Sequence, residues 1–194
     1  MVRQEVLAGP TSLIDTVLAA DKERASLLEE AETATDPNRI AEIHTRLADM
    51  GAHAAPARAA TILSGLGFDE AAQARPCSDF SGGWRMRVAL AGVLFAEPDL
   101  LLLDEPTNYL DLEGALWLEG FLAKYPRTAL IVSHDRELLN RSVDSILHLA
   151  NAKLTYYAGV FDQFDTERRM KQEQQQSMKR RQDAQRAHIQ SFVD

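Results

Sequence analysis

Apolar positions recur with a helical period through the first third of the chain and collapse into short continuous runs in the middle. After Gly9 and Pro10, residues Leu13, Ile14, Val17, Leu18, Leu27 and Leu28 recur among Asp, Lys and Glu. This predicts one charged amphipathic helix, with Thr11 or Ser12 as its N-cap. Pro37 opens a second predicted helix carrying Ile40, Ile43, Leu47 and Met50 on one side, and Gly51 closes it. A third, rich in alanine, runs to about Gly65. Leu100 to Leu103 is then a bare apolar run bounded by Pro98 and Pro106, which predicts a strand covered on both faces. A helix from about Leu112 to Lys124 and a second buried strand, Thr128 to Val132, complete a crossover unit with parallel strands. Ser145 to Leu149 and Leu154 to Tyr157 predict a hairpin turning near Asn151.

From about Phe161 the composition shifts to Arg, Lys and Gln. Residues 167–190 hold seven basic side chains against three acidic ones and no proline or glycine. One long, solvated helix is expected there. The whole chain of 194 residues carries a net charge of -8, which argues against a protein that coats nucleic acid along its length but leaves room for a local basic segment. Cys77 is the only cysteine, so no internal disulfide forms, as suits a reducing, cytoplasmic setting. No apolar run approaches the roughly 20 residues of a membrane span.

Candidate chemistry concentrates between Phe80 and Glu113. Ser81 at a helix start followed by Gly82 and Gly83 leaves backbone N–H groups at the positive end of a helix dipole, where a phosphate can approach closely. The strand Leu100 to Asp104 delivers a carboxylate at its tip that can hold magnesium directly or through water. Glu105 beside it can orient or deprotonate attacking water. His134, directly after the second strand, can donate a hydrogen bond to a terminal phosphate. In parallel sheets ligands gather at the carboxyl ends of strands, where Asp104, Glu105 and His134 all fall. The consecutive Ser133, His134 and Asp135 are not a hydrolase triad, because such groups converge in space rather than adjoin in sequence. His44, His53, His148 and His188 lack metal-ligand spacing.

These residues resemble the ATP-binding cassette (ABC) ATPases. Phe80 to Gly83 is similar to the ABC signature, Leu100 to Glu105 to Walker B with its catalytic glutamate, Asn108 to Asp111 to the D-loop, and His134 to the switch histidine. Trp84-Arg85-Met86-Arg87 after the glycines, with the run Asp104 to Asn108, resembles the ABC-F branch, and the basic segment resembles the linker between its two ABC domains. Tyr109 stands where that branch usually has histidine.

The resemblance implies an α/β, P-loop NTPase-like parallel-sheet core with an α-helical subdomain and a long C-terminal helix. Residues 1–98 would be the helical, signature-bearing subdomain with a short arm, 99–160 the Walker B and H-loop part of the core, and 161–194 the start of the linker. Glu105 and His134 would be catalytic. Gln4, Ser81, Gly82, Gly83, Asp104, Asn108 and Asp111 would bind nucleotide, with Asp104 and Gln4 at the Mg2+. ATP and Mg2+ are the implied cofactors, and the implied partners are a second ABC domain or a second copy, and the ribosome with its tRNA.

A P-loop needs G-x-x-x-x-G-K-[ST], and none of Lys22, Lys124, Lys153, Lys171 and Lys179 follows a glycine. The expectation is therefore that Met1 falls inside a first ABC domain whose phosphate loop lies upstream, and that the isolated chain hydrolyses little ATP. Two other readings are a non-catalytic fragment that pairs with an ABC domain or RNA, and the ATPase subunit of a transporter.

Overall fold

The computed structural model describes residues 9–190, with side chains described to 186. It comprises two compact units, 1–134 and 135–194.

In the first unit, α1 (Leu13–Leu18) is capped by the Ser12 hydroxyl, which accepts from the Asp15 N–H. Where the apolar pattern predicted one helix through Leu28, the chain breaks at residues 19–21 and restarts as α2 (Lys22–Thr33). The cause is local, because the Asp21 carboxylate accepts from the Arg24 N–H and caps a new helix. No residue of α2 is buried. Its partner is α3 (Pro37–Asp49), with proline at its start and Gly51 at φ 64° after its end. Arg39 to Glu30 and Arg46 to Glu23 tie the two together. All four side chains are largely exposed, so these pairs orient the helices more than they stabilise them.

The core of this unit is built by α1, α4 (Ala55–Gly65) and α6 (Gly82–Ala96) packing on one another. Leu13, Val17, Ala59, Leu63, Leu66, Ala91, Leu94 and Phe95 are all wholly buried in it. Between α4 and α6 lie the short helix α5 (Glu70–Gln73) and a single 3-10 turn at Cys77–Asp79. After α6, strand β1 (Leu100–Asp104) pairs in parallel with β2 (Thr128–Val132), Leu100 opposite Thr128 and Asp104 opposite Val132, with α7 (Leu112–Leu122) as the crossover.

The two strands are not covered on both faces, contrary to the sequence expectation. Leu101 is fully buried and Leu103 nearly so, but Leu102 is 63% exposed, and Leu100, Leu130 and Val132 are exposed beside it. Nothing among the described residues covers that face. An apolar run cannot say whether its cover comes from the same stretch of chain.

The second unit holds α8 (Arg136–Ser142), the antiparallel hairpin β3 (Ser145–Ala150) and β4 (Lys153–Ala158), and α9 (Phe161–Gln190). The hairpin turns on Asn151 and Ala152, both at positive φ, which is the two-residue turn whose twist matches that of paired strands. Phe164 is buried against the rings of His148, Tyr157 and Phe161 and anchors the first turn of α9. From Thr166 to Arg186 α9 is exposed, as its composition predicted.

Candidate active site at the strand ends

β1 ends at Asp104, and the chain turns sharply at the next residue. Glu105 has φ 45°, a left-handed conformation that costs a non-glycine residue about 1–2 kcal/mol. The turn is held from both sides. The Glu105 N–H donates to the Val132 carbonyl at 2.8 Å, and the Glu105 carbonyl accepts from the Asn108 N–H at 3.2 Å. Strain fixed in this way aims the Glu105 side chain across to the end of β2.

Three donors from that strand end meet one carboxylate oxygen. His134 Nδ1 lies 2.8 Å from Glu105 Oε2. The Ser133 hydroxyl and the His134 N–H each donate to the same oxygen at 3.4 Å. Among the described residues Oε1 has no such partner. The His134 side chain is 78% exposed and that of Glu105 29%, so the pair faces solvent. The contact with His134, first of all, holds the Glu105 carboxyl below its ordinary 4.5.

That direction has a sign for stability. A carboxyl with a depressed folded pKa contributes stability above its unfolded pKa, and the contribution is lost as pH falls through the folded value. Carbon NMR of the Glu105 carboxyl is expected to show a midpoint below 4.5. His134→Ala should move it back up, and an unchanged midpoint would mean that the contact with His134 does not form in solution.

Asp104 is exposed, and its carboxylate has no hydrogen-bond or ion-pair partner among the described residues. No cluster of three or more metal-binding side chains occurs among them either. A single free carboxylate at a strand tip fits a magnesium ion, which keeps most of its shell as water and phosphate oxygens.

In the signature-like segment the helix starts where the sequence expectation put it. Ser81 occupies the N-cap position of α6 but makes no capping hydrogen bond, and the first turn contains no acidic residue. The helix start is thus uncapped, and a Cβ built on Gly82 meets nothing within 4 Å. Backbone N–H groups facing open space at the positive end of a 15-residue helix can receive an anion. A Cβ on Gly83 would stand 3.8 Å from the Tyr109 ring, so this helix start lies against the loop that follows Glu105.

That loop continues through Asn108, which is exposed, to Asp111. Asp111 caps α7 by accepting from the Gly114 N–H at 2.9 Å. The Gly114 N–H and the Arg87 guanidinium together hold its carboxyl below the usual 3.8. Gln4 lies outside the described residues.

Sequence reasoning missed Arg87 and the contact of Ser133 with Glu105. Arg87 is 9% exposed and shares the buried stripe of α6 with Ala91 and Leu94. A lone arginine on an otherwise apolar helical stripe was the available signal.

Comparison with known proteins bears on the family and the fold. A family model described as ABC transporter matches residues 5–108, and a second of the same description matches 147–194. The chain is 44% identical over its whole length to the "ABC transporter F family member 3" of Arabidopsis thaliana, to the "Probable ATP-binding protein YheS" of Haemophilus influenzae, and to the "ATP-binding cassette sub-family F member 3" of Homo sapiens. It spans about 30% of the length of these curated relatives. Among solved structures, the dimeric bacterial ABC transporter cassette MJ0796 aligns with a TM-score of 0.52 at 20% identity, over 81% of this chain and 61% of that one. A structure of the ATP binding subunit of an ABC transporter aligns with a TM-score of 0.53 at 16% identity, over 81% of this chain and 55% of that one. Both alignments speak for the fold alone, a P-loop NTPase-like ABC cassette core. No helix among the described residues is long and apolar enough to cross a membrane. Strand-end carboxylates, an uncapped glycine helix start and matches that reach both ends of the sequence converge on one family: the chain belongs to the ABC ATPases, in their F branch.

Proposed function

We propose that this chain is the signature and Walker B part of an ATP-hydrolysing ABC-F protein that acts in the cytoplasm on the ribosome. The observation that carries the reading is the contact of Glu105 Oε2 with His134 Nδ1 at 2.8 Å, across the ends of two parallel strands. Glu105 Oε1 takes the proton of the attacking water. His134 holds Glu105 in place and senses the terminal phosphate. Asp104 serves the magnesium with Gln4, and Mg2+ offsets charge on the phosphates when bound. Ser81, Gly82 and Gly83 close on nucleotide held by a second ABC domain or a second copy, and Asn108 and Asp111 line that junction.

Residues 1–98, 99–160 and 161–194 divide these tasks as helical subdomain, core segment and linker. The loop that cradles the phosphates is supplied from outside these residues, so the isolated chain turns over little or no ATP. Support comes from the apolar face of β1 and β2, because exposed leucines at 54% and 63% belong against further protein. The exposed basic length of α9 supports contact with RNA.

Calorimetry with ATP on this chain beside an upstream-extended form tests the reading. Binding is expected in the extended form alone, and tight binding by the isolated chain would overturn the assignment of the phosphate loop. The cover on the strands has its own test. Leu102→Ser is expected to change the unfolding free energy of the isolated chain by less than about 0.5 kcal/mol and to cost the extended form about 2 kcal/mol. Equal costs in the two forms would show that the face stays exposed.

A further inference from the structure

We infer that Arg87 is a positioning residue that makes the phosphate-facing start of α6 and the loop after Glu105 move as one piece. The inference rests on the proposed ATPase reading. Arg87 lies six residues beyond Ser81, about 9 Å along the helix axis, and its guanidinium reaches three acceptors on two other segments. Nε donates to the Tyr109 carbonyl at 2.6 Å. Nη1 donates to Asp111 Oδ2 at 3.0 Å and to the Leu66 carbonyl at 3.2 Å. The plane of the group sits over the Trp84 ring, 4.3 Å from its centroid, and Trp84 in turn packs edge-on to buried Phe68.

The seat is built for a fork. Gly67, at φ 94°, leaves the space Arg87 occupies, for a Cβ there would stand 3.0 Å from Nη1. A charge-assisted hydrogen bond to a buried guanidinium is about twice as strong as a neutral one, and the one to Asp111 is joined to two carbonyl contacts. The segment from Tyr109 to Asp111 is therefore pinned to α6 less than two turns below Ser81. Glu105 lies four residues before Tyr109 on the same loop, whose turn is fixed by the Asn108 N–H on the Glu105 carbonyl.

A phosphate that settles on Ser81 to Gly83 thus biases, through Arg87, the loop that carries the water-activating carboxylate of the other nucleotide. An ammonium cannot replace the fork, because its one nitrogen cannot stand both where Nε meets the Tyr109 carbonyl and where Nη1 meets Asp111 and the Leu66 carbonyl.

The test is steady-state ATP hydrolysis by the full-length natural protein, with kcat expressed per nucleotide-binding site and thermal unfolding recorded for each variant. Arg87→Met is expected to lower kcat about 100-fold and to leave KM within about threefold. Arg87→Lys keeps the charge and the stem against Trp84, so it folds, and it is expected to fall equally in kcat. Rescue by Lys, or a kcat per site within about threefold of wild type in either variant, would overturn the inference. A purely structural role would lower the unfolding temperature and the number of binding sites but not kcat per site. Absence of any turnover that depends on Glu105 in the unmodified protein would remove the ATPase reading and this inference with it, whereas turnover that depends on Glu105 but not on Arg87 removes the inference alone.

Discussion

Glu105→Gln is expected to lower ATP turnover by the upstream-extended protein about 10²–10⁴-fold, the usual loss on removing a positioned general base. The substitution keeps the shape of the side chain and its length from the turn. It removes the negative charge and replaces one acceptor oxygen by an amide that has no lone pair for a proton. In this site the loss is specific, because the donors Ser133 Oγ, His134 N–H and His134 Nδ1 all gather on Oε2. A glutamine can satisfy them by turning its carbonyl oxygen that way, which places the NH2 where Oε1 had faced water. The folded geometry thus survives while the base is lost. Nucleotide affinity should be unchanged or tighter, since hydrolysis no longer empties the site. Turnover within about tenfold of wild type would remove Glu105 from the role of base and, with it, the reading of the His134 contact.

The same strand ends show what the sequence made legible. β2 was placed to the residue, β1 to within one, and α9 begins where the composition changes, because each depends on local pattern alone. The carboxylates and His134 could be placed at one sheet edge before any coordinates, since parallel strands joined by a crossover helix put their carboxyl ends together. What stayed hidden depends either on a single side-chain cap or on partners remote in sequence. The break between α1 and α2 carries no proline or glycine and turns on the single cap Asp21. The open face of β1 is invisible to a pattern that shows only apolarity. Arg87 could be seen as a charge among apolar residues, but its acceptors lie 21 to 24 residues away. Ser81 takes the N-cap position that the sequence suggests, but its hydroxyl does not turn back on the helix it precedes.

Gly65→Ala is expected to destabilise the chain by about 3 kcal/mol, at the upper end for an added methyl in a packed site. Gly65 ends α4 and lies against α7. A Cβ built there would stand 2.0 Å from Trp117 Cε2, 2.2 Å from Cδ2 and 2.3 Å from Nε1. Three atoms of a rigid fused ring cannot all retreat by a rotamer adjustment of the glycine's neighbours, so the whole indole must leave. Its ring is tilted against that of Phe121 at 5.3 Å, and an aromatic pair contributes about 0.5–1.5 kcal/mol beyond the area it buries. Trp117 already lines a groove with Ile14, Ala60, Ser64 and Gln73, and leaving exposes more of the indole to it. The chain has two tryptophans, so Trp84→Phe isolates the emission of Trp117. In that background Gly65→Ala should shift emission to longer wavelength and lower the urea midpoint with the slope unchanged. A variant with wild-type emission and midpoint would mean that α4 and α7 stand further apart in solution than the close approach of Gly65 to Trp117 requires. That spacing also reaches the site, because α7 starts at the Asp111 cap that Arg87 holds. A loosened α7 should therefore raise the amide exchange of residues 109–114 before the strands respond.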